Sequence, residues 1–555
     1  MKLTGSQIIV ESLKKQGIDV VTGIPGSANL PLYTELHESG IEHILARHEQ
    51  GAGFIAQGMA RRSGKPAVCL ATSGPGATNL LTAIADAKMD SVPVVAITGQ
   101  VALPFIGTDA FQEVDTFGLS LSITKHSFLV KDIGDLPGIM RDAFNIAASG
   151  RPGPVLVDVP KDIQNQSIEI DSIPDPLPLP PKSAPGEKEI KEIAEAINKS
   201  ARPVIYAGGG VILSGAEEAL RIFAEKASVP VAVSLRGLST FDHYHPLYMG
   251  LIGMHGNLST NTAFNEADLV ICIGARFNDR TTGNTNGFCP DARIIHADID
   301  AAEIGKIRRS DLSIVSDAGD FLEALVNYSE KKGRSGWISR INELKKIHDK
   351  DFQLPGYHPL EIIRTVSNLA HEGSIVATDV GQHQMWVART YPFPVGRTFF
   401  TSGGLGTMGF GLPVAIGAAL ADKTKTVLCF SGDGSILMNI QELATLADLG
   451  LNVKVIILDN GQLGLVRQQQ ELFYGRKFIA TSFRTHTDFS TIASGFGIRG
   501  IDMNAARIDM AQLESALKEP GPCLVNINIS GEYNVYPMVP PGKENINMLT
   551  EDMHE

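Results

Sequence analysis

Residues 426–460 limit what this chain can become more than any other stretch. Thr426-Val427-Leu428-Cys429-Phe430 is a short β-branched and aromatic run that stops at Gly432-Asp433-Gly434-Ser435. Residues 440–449 then carry apolar side chains at helical spacing, and Val453-Lys454-Val455-Ile456-Ile457-Leu458-Asp459-Asn460 is a second apolar run. Strand, tight turn, helix and strand form a crossover unit, whose right-handed form makes the two strands parallel neighbours. Asp433 and Asn460 then share the carboxyl edge of one sheet, where open α/β sheets bind ligands. A carboxylate, an amide oxygen and a glycine turn opening a helix suit Mg²⁺ that completes its shell from a diphosphate. The same residues also read as a strand-ending turn followed by a turn asparagine.

The alternation recurs along the chain. Helix 6–17, strand 20–23, a helix from Leu30, strand 43–47, helix 51–62, strand 67–72, helix 77–88, strand 92–98 and strand 154–160 make a first domain over 1–172. Residues 173–186, beginning Ile173-Pro174-Asp175-Pro176-Leu177-Pro178, are a proline-stiffened linker. Strands 203–207, 229–233, 269–273 and 293–299 place a second domain at 187–353, ending in a charged helix over 337–351. A third domain covers 354–529. The tail, 530–555, contains Tyr536-Pro537-Met538-Val539-Pro540-Pro541-Gly542 and is expected to drape over other elements. The fold class is α/β, with three doubly wound parallel-sheet domains.

A formal charge of −13 over 555 residues argues against nucleic-acid or anionic-membrane partners and points to small molecules or proteins. The five cysteines show no CxxC spacing, which predicts buried thiols in a reducing compartment. The first 17 residues lack the apolar core of a signal peptide, and no apolar run reaches membrane-spanning length, so the expected location is cytoplasmic.

Other constellations leave alternatives open. Gly404-Leu405-Gly406-Thr407-Met408-Gly409 fits a dinucleotide fingerprint, and with it a dehydrogenase, but the acidic residue after the next strand is Asp433, inside a turn better suited to metal and phosphate. Met408 in such a turn reads as a core gap-filler or as a ligand contact. Glu49 follows a strand and starts a helix; it is a helix-start charge or, against an apolar pocket, a carboxyl group that exchanges a proton with a heterocycle. Thr72-Ser73-Gly74-Pro75-Gly76 is an anion cradle or a tight turn. Arg276 and Arg280 follow the strand ending at Ile273, past the glycine turn at Gly274, and suit a phosphate, a carboxylate or surface ion pairs.

Taken together, Arg47-His48-Glu49-Gln50-Gly51-Ala52, Ile106-Gly107-Thr108-Asp109-Ala110-Phe111-Gln112-Glu113, Gly150-Arg151-Pro152-Gly153-Pro154, Thr378-Asp379-Val380-Gly381-Gln382-His383 and the segment 403–413 resemble the thiamine-diphosphate enzyme superfamily. Its diphosphate motif is Gly-Asp-Gly followed by Asn. The nearest likeness is to catalytic subunits of acetolactate (acetohydroxyacid) synthases. The resemblance implies a pyrimidine-binding first domain, an FAD-binding middle domain and a diphosphate-binding third domain. It implies Mg²⁺ ligation by Asp433, Asn460 and the Gln462 carbonyl, and Glu49 bonded to the pyrimidine. Met408 would prop the cofactor into a bent shape, and Gly26, Gln112, Gln382, His383, Gly432, Gly434 and Ser435 would touch it. Arg151, Gly208, Gly209, Gly210, His255, Gly274, Arg276, Asp298 and Asp317 resemble FAD-binding elements, the flavin doing no net redox chemistry. The implied reaction decarboxylates pyruvate and joins the two-carbon unit to a second 2-oxo acid, pyruvate or 2-oxobutyrate, in branched-chain amino acid synthesis. Arg280 resembles the receptor for the second carboxylate.

Three positions depart from the family pattern. Asp459 replaces an asparagine and adds a charge beside the metal, Ser27 replaces a glycine near the thiazolium, and Gln469 stands where most members have tryptophan. The last resembles a branch with weaker preference for 2-oxobutyrate, so acetolactate is the expected main product. The likeness implies a homodimer or tetramer with sites shared between chains, and leaves room for a small regulatory subunit. Glyoxylate carboligase, pyruvate oxidase and a non-catalytic paralogue are the competing readings. Glu49 counts against the first, and the intact Glu49, Asp433, Asn460 and Arg280 count against the last.

Overall fold

The computed structural model describes residues 1–180, 185–349 and 354–551. Three six-stranded sheets organise the chain, each with every strand parallel to its neighbours. The first runs Glu42–Leu45, Val20–Gly23, Ala67–Ala71, Val94–Gln100, Val155–Pro160, His126–Leu129 from edge to edge. The third has the same order of succession: Phe399–Phe400, Ile375–Thr378, Val427–Gly432, Val453–Asp459, Cys523–Asn528, Arg499–Asn504. The middle sheet differs, running Tyr248–Leu251, Val231–Val233, Pro203–Ala207, Leu269–Ile273, Arg293–Asp298, Leu312–Val315. In each sheet the order reverses beside the first strand, which opens a crevice at the carboxyl edge.

Most expected elements are present, with shifted ends. Val427 pairs with Val453 and Gly432 with Leu458, so the two strands that framed the opening stretch are parallel neighbours. The helix between them starts at Glu442 rather than 440. Helix Glu49–Ser63 starts two residues early because the His48 ring nitrogen accepts from Gln50 N–H, and Pro75 opens helix Pro75–Met89. The edge strands His126–Leu129, Leu312–Val315 and Arg499–Asn504 are not among the expected elements. They are short, and only Arg499–Asn504 alternates polar and apolar residues along its length. A two-stranded antiparallel pair, Lys2–Thr4 with Ser167–Glu169, was equally invisible. The charged helix is Ser335–His348, capped at Asp349; positions 350 and 351 of its expected span, like Pro181 to Ala184 of the linker and 552–555 of the tail, lie outside the described residues.

Helix Glu49–Ser63 packs on helix Gly411–Ala421, joining the outer two sheets. The backbones nearly touch: a Cβ built on Gly58 would lie 2.9 Å from Ala418 N, and one on Gly417 would lie 2.8 Å from the Ile55 carbonyl carbon. Ala52, Ile55, Val414 and Ala415 close the seam. The tail does drape, and it also builds core. Met538 and Val539 are buried with Met254 and Met548, and Val539 N–H donates to the Met254 carbonyl. Among the described residues no helix is long and apolar enough to cross a membrane.

Candidate active site

The crevice of the third sheet lies between the ends of Ile375–Thr378 and Val427–Gly432. It gathers Gln382, His383, Gly432, Asp433, Ser435 and Asn460. Asn460 Nδ2 donates to Gln382 Oε1 (3.1 Å), and Gln382 Nε2 donates to Gln468 Oε1 (3.0 Å) and the Tyr533 carbonyl (2.9 Å). Gln462 N–H reaches Asn460 Oδ1 at 3.3 Å, and Gly432 N–H is held by Ser435 Oγ at 3.1 Å. A Cβ on Gly432 would press on His383 Nδ1, and one on Gly434 on Leu463, so side chains there would fill the cradle. Asp433 Oδ2 and His383 Nε2 are buried without a partner. Burial first, and then the Asp459 carboxylate beside it, push Asp433 up to about 7, while burial lowers His383 to about 3. An orphaned, desolvated carboxylate oxygen next to a second carboxylate and an amide oxygen fits a divalent cation of the hard, oxygen-binding kind. The extra charge expected at Asp459 therefore faces Asp433; Gly461 N–H (3.1 Å) and Asn526 Nδ2 (3.4 Å) hold its two oxygens.

The crevice of the first sheet gathers Gly26, Glu49 and Gln112. Glu49 is 9% exposed, and its Oε2 accepts from Asn79 Nδ2 at 3.0 Å. A Cβ on Gly76 would lie 3.3 Å from Glu49 Oε1, and one on Gly26 would lie 2.5 Å from Thr72. Gly74 adopts φ +59° and a Cβ there would meet the Gln112 carbonyl oxygen at 2.7 Å, so the glycine turn and the loop carrying Gln112 are in contact. Glu113 pins that loop, accepting from the N–H groups of Gly107, Thr108 and Ala110. Among the described residues no hydrogen bond joins this group to the one around Asp433.

A cavity of about 900 Å³ opens at the middle sheet's crevice. Arg151, Gly209, Gly210, His255, Gly274, Arg276, Asp298 and Asp317 line it, and Arg280 and Gln469 border the same space. Gly208 lies behind the wall: a Cβ there would meet Ala275 Cα at 2.6 Å, as one on Gly210 would meet Gly274 Cα at 2.7 Å, so the two glycine turns abut. Arg276 Nη2 donates to the Met89 carbonyl (3.0 Å), and Arg151 pairs with Asp300 (3.1 Å) and Glu303 (2.8 Å). Burial raises Asp298 to about 6, and burial with the Arg389 and Arg280 charges lowers His255 to about 4. His255 Nδ1 is buried and unpartnered. Paired glycine turns, convergent arginines and a cavity of this size fit a dinucleotide.

The fingerprint at Gly404 to Gly409 is not that site. It follows a two-residue edge strand, Phe399–Phe400, while the glycine turn at a switch point is Gly208 to Gly210. Met408 sits half-buried on the turn, which Asp379 anchors by accepting from Gly409 N–H (2.9 Å) and Gly411 N–H (3.2 Å). Asp379, Gln468 and the pair Asp86 and Asp90 were not singled out beforehand. Gln468 is one of three consecutive glutamines, yet it alone is buried, bonding Gln382 and both the N–H and carbonyl of Val535. Only its place on the inner face of helix Gly464–Phe473 separates it from Gln469, which looks into the cavity.

Family models match a stretch of each of the three sheet units: an N-terminal thiamine pyrophosphate enzyme binding domain at residues 3–119, the central domain of such enzymes at 190–325, and their C-terminal binding domain at 379–527. The chain is 51% identical over 557 residues to the acetolactate synthase isozyme 1 large subunit of Escherichia coli K12, covering 99% of this chain and 98% of the relative. It is 45% identical to the isozyme 2 large subunit of the same organism, over 99% of each. A probable acetolactate synthase large subunit of Methanocaldococcus jannaschii is 44% identical over 99% of this chain and 95% of its own. With this identity along its whole length and the same three domains, the chain belongs to the acetolactate synthase large-subunit family of thiamine pyrophosphate enzymes.

Proposed function

We propose that the protein makes 2-acetolactate from two molecules of pyruvate, and 2-aceto-2-hydroxybutyrate when 2-oxobutyrate is the acceptor, in branched-chain amino acid synthesis. It uses thiamine diphosphate, Mg²⁺ and FAD, with domain limits near residues 172, 187, 354 and 529. The observation that carries this reading is that Arg280 and Gln469 border the same cavity as the dinucleotide candidates, next to the turn of Met408, so the proposed carboxylate receptor would stand beside the proposed cofactor site.

Bound thiamine diphosphate supplies an electron sink for the carbon that loses CO₂. Asp433 Oδ2, the Asn460 amide oxygen and the Gln462 carbonyl are the proposed Mg²⁺ ligands, and the unpartnered Nε2 of His383, neutral in its buried position, would be free to bond the diphosphate. Gly432, Gly434 and Ser435 supply the turn against which the diphosphate lies. Glu49, steadied by Asn79, would hold the pyrimidine and could share a proton with it, and Gly26, Gln112 and Met408 would line that part of the site. Arg280, whose side chain is 66% exposed at the cavity, clamps the acceptor carboxylate through its two-pronged guanidinium. Gln469 leaves room without an apolar wall, which favours pyruvate as acceptor.

Two copies of the chain complete each site on this reading, and a smaller regulatory chain is a further partner, since the relatives are named large subunits. The separation of the Glu49 and Asp433 groups within one chain supports the first. So do the large apolar side chains beside them, Phe111 at 86% and Met438 at 52% exposed. Five buried free thiols agree with a cytoplasmic location.

The test is incubation of the purified chain with pyruvate, thiamine diphosphate, Mg²⁺ and FAD, with acetolactate quantified after acid conversion to acetoin. Acetolactate is expected from the parent and little from Glu49→Gln or Asp433→Ala. Peroxide with bleached flavin would move the reading to an oxidase, CO₂ without acetolactate to a decarboxylase, and no turnover with cofactors bound to a non-catalytic paralogue.

A further inference from the structure

Asp86 and Asp90 lie at the end of helix Pro75–Met89, fully buried, where the three domains meet. Arg61 Nη2 donates to both, to Asp86 at 3.3 Å and to Asp90 at 3.0 Å. Both carboxylates also accept hydrogen bonds from the third domain. Asp90 accepts from Gly403 N–H (3.0 Å) and Gly404 N–H (2.9 Å), and Asp86 accepts from Ser402 Oγ and from Thr407 Oγ1 (3.1 Å). These four groups belong to the turn that carries Met408. From the middle domain, Arg236 approaches Asp90 at 3.7 Å, and Arg276 bonds the carbonyl of Met89, one residue before Asp90. Both arginines line the large cavity. A buried carboxylate that loses its donors pays its full desolvation cost, so helix end, turn and arginines keep one register or shift together.

We propose that Asp90 is a positioning residue that couples the two cofactor sites, so that a dinucleotide in the large cavity tightens the binding of thiamine diphosphate. The proposal rests on the cofactor assignment made under Proposed function. A ligand that orders Arg236 and Arg276 fixes the end of helix Pro75–Met89. Asp90 passes that order to Gly403 and Gly404, and so to the turn holding Met408, four residues after Gly404. By linkage, thiamine diphosphate tightens FAD binding by the same factor.

Isothermal titration of thiamine diphosphate with Mg²⁺ into the full chain, with and without saturating FAD, measures the coupling directly. In the parent the affinity is expected to rise about fivefold or more with FAD, within the ordinary range of couplings between sites. In Asp90→Asn the ratio should fall below about twofold while FAD still binds within about threefold of the parent. A loss of fold alone would lower both affinities and leave no such selective change. Parent affinity that ignores FAD, or a ratio undiminished in Asp90→Asn, overturns the proposal. Where Asp90→Asn does not fold, Arg236→Met replaces it, with a reduced ratio expected and an unchanged one overturning the idea. A parent that binds neither cofactor sinks the cofactor assignment itself, an outcome distinct from two cofactors that bind independently.

Discussion

Glu49 and Asp433 are both buried carboxylates at helix starts, and their neighbours give them different tasks. Glu49 has one amide donor, Asn79, and leaves its second oxygen facing a glycine. Asp433 faces a second carboxylate with Oδ2 unpaired, an arrangement that asks for a cation. Asp433→Asn is therefore expected to weaken Mg²⁺ binding in the presence of thiamine diphosphate at least about tenfold, a charged contact of roughly 1.5–3 kcal/mol; an unchanged Mg²⁺ titration would remove Asp433 from the metal site. Gln469→Trp should raise the ratio of aceto-hydroxybutyrate to acetolactate, in competition between the two acceptors, by about tenfold or more, the 1–3 kcal/mol that one methylene is worth in an apolar pocket. Asp158 offers a pH test away from the metal. Burial, with Asp115 adding to it, raises it to about 7, against the donors Thr98 Oγ1 (2.6 Å) and Gln100 Nε2 (2.9 Å). A folded-state value above the unfolded one means that the stabilising contribution is whole below about pH 4 and is lost as pH rises through about 7. Thermal unfolding at pH 5.5 and 8.5 should thus fall less steeply for Asp158→Asn than for the parent, and parallel changes would refute the shift. The chemistry-bearing residue types were legible from the chain alone because metal, phosphate and carboxylate each demand particular atoms. Gln468 and Asp379 were not, because an amide or carboxylate that serves other residues carries no mark of its own.

At the level of elements, the seam between helices Glu49–Ser63 and Gly411–Ala421 does the most to position the site, since it carries Glu49 at one end and the Met408 turn before the other. Gly58 and Gly417 let the two backbones approach. Gly417→Val is expected to cost about 3 kcal/mol or more, because a branched side chain meets backbone that cannot give. Denaturant unfolding followed by intrinsic fluorescence measures this, and a loss below about 1 kcal/mol would show that the seam can open. Most strands that run through a sheet interior as apolar segments were readable, as Leu269–Ile273 was. The edge strands His126–Leu129, Leu312–Val315 and Arg499–Asn504 were not, since none contains a long apolar run, although the edge strand Glu42–Leu45 overlaps the expected 43–47. Gly58 and Gly417 carry no mark in the sequence of their place in the helix seam, which only the partner helix reveals.

Across the whole molecule, the tail ties the middle domain to the third. Val535, Met538, Val539 and Met548 are buried, Asn545 Nδ2 donates to the Thr281 carbonyl (2.7 Å), and Val535 bonds Gln468, which holds Gln382. A chain ending at residue 533 should lose much of the roughly 1.5–3 kcal/mol that each of these four apolar side chains contributes. Its melting temperature should fall, and its thiamine diphosphate affinity with it, as titration calorimetry would register; unchanged affinity would detach the tail from the site. The sequence by itself determined three parallel-sheet units, the glycine turns at their carboxyl edges and the residue types that the chemistry needs, because these follow from local periodicity and from what each side chain can bond. Only the tertiary structure decided which turns meet: that Glu49 and Asp433 belong to separate crevices, that Arg280 and Gln469 share a cavity with the arginines of the middle domain, and that Asp90 joins all three domains. Such meetings are made by contacts between residues hundreds of positions apart, and their geometry depends on how whole helices and sheets pack.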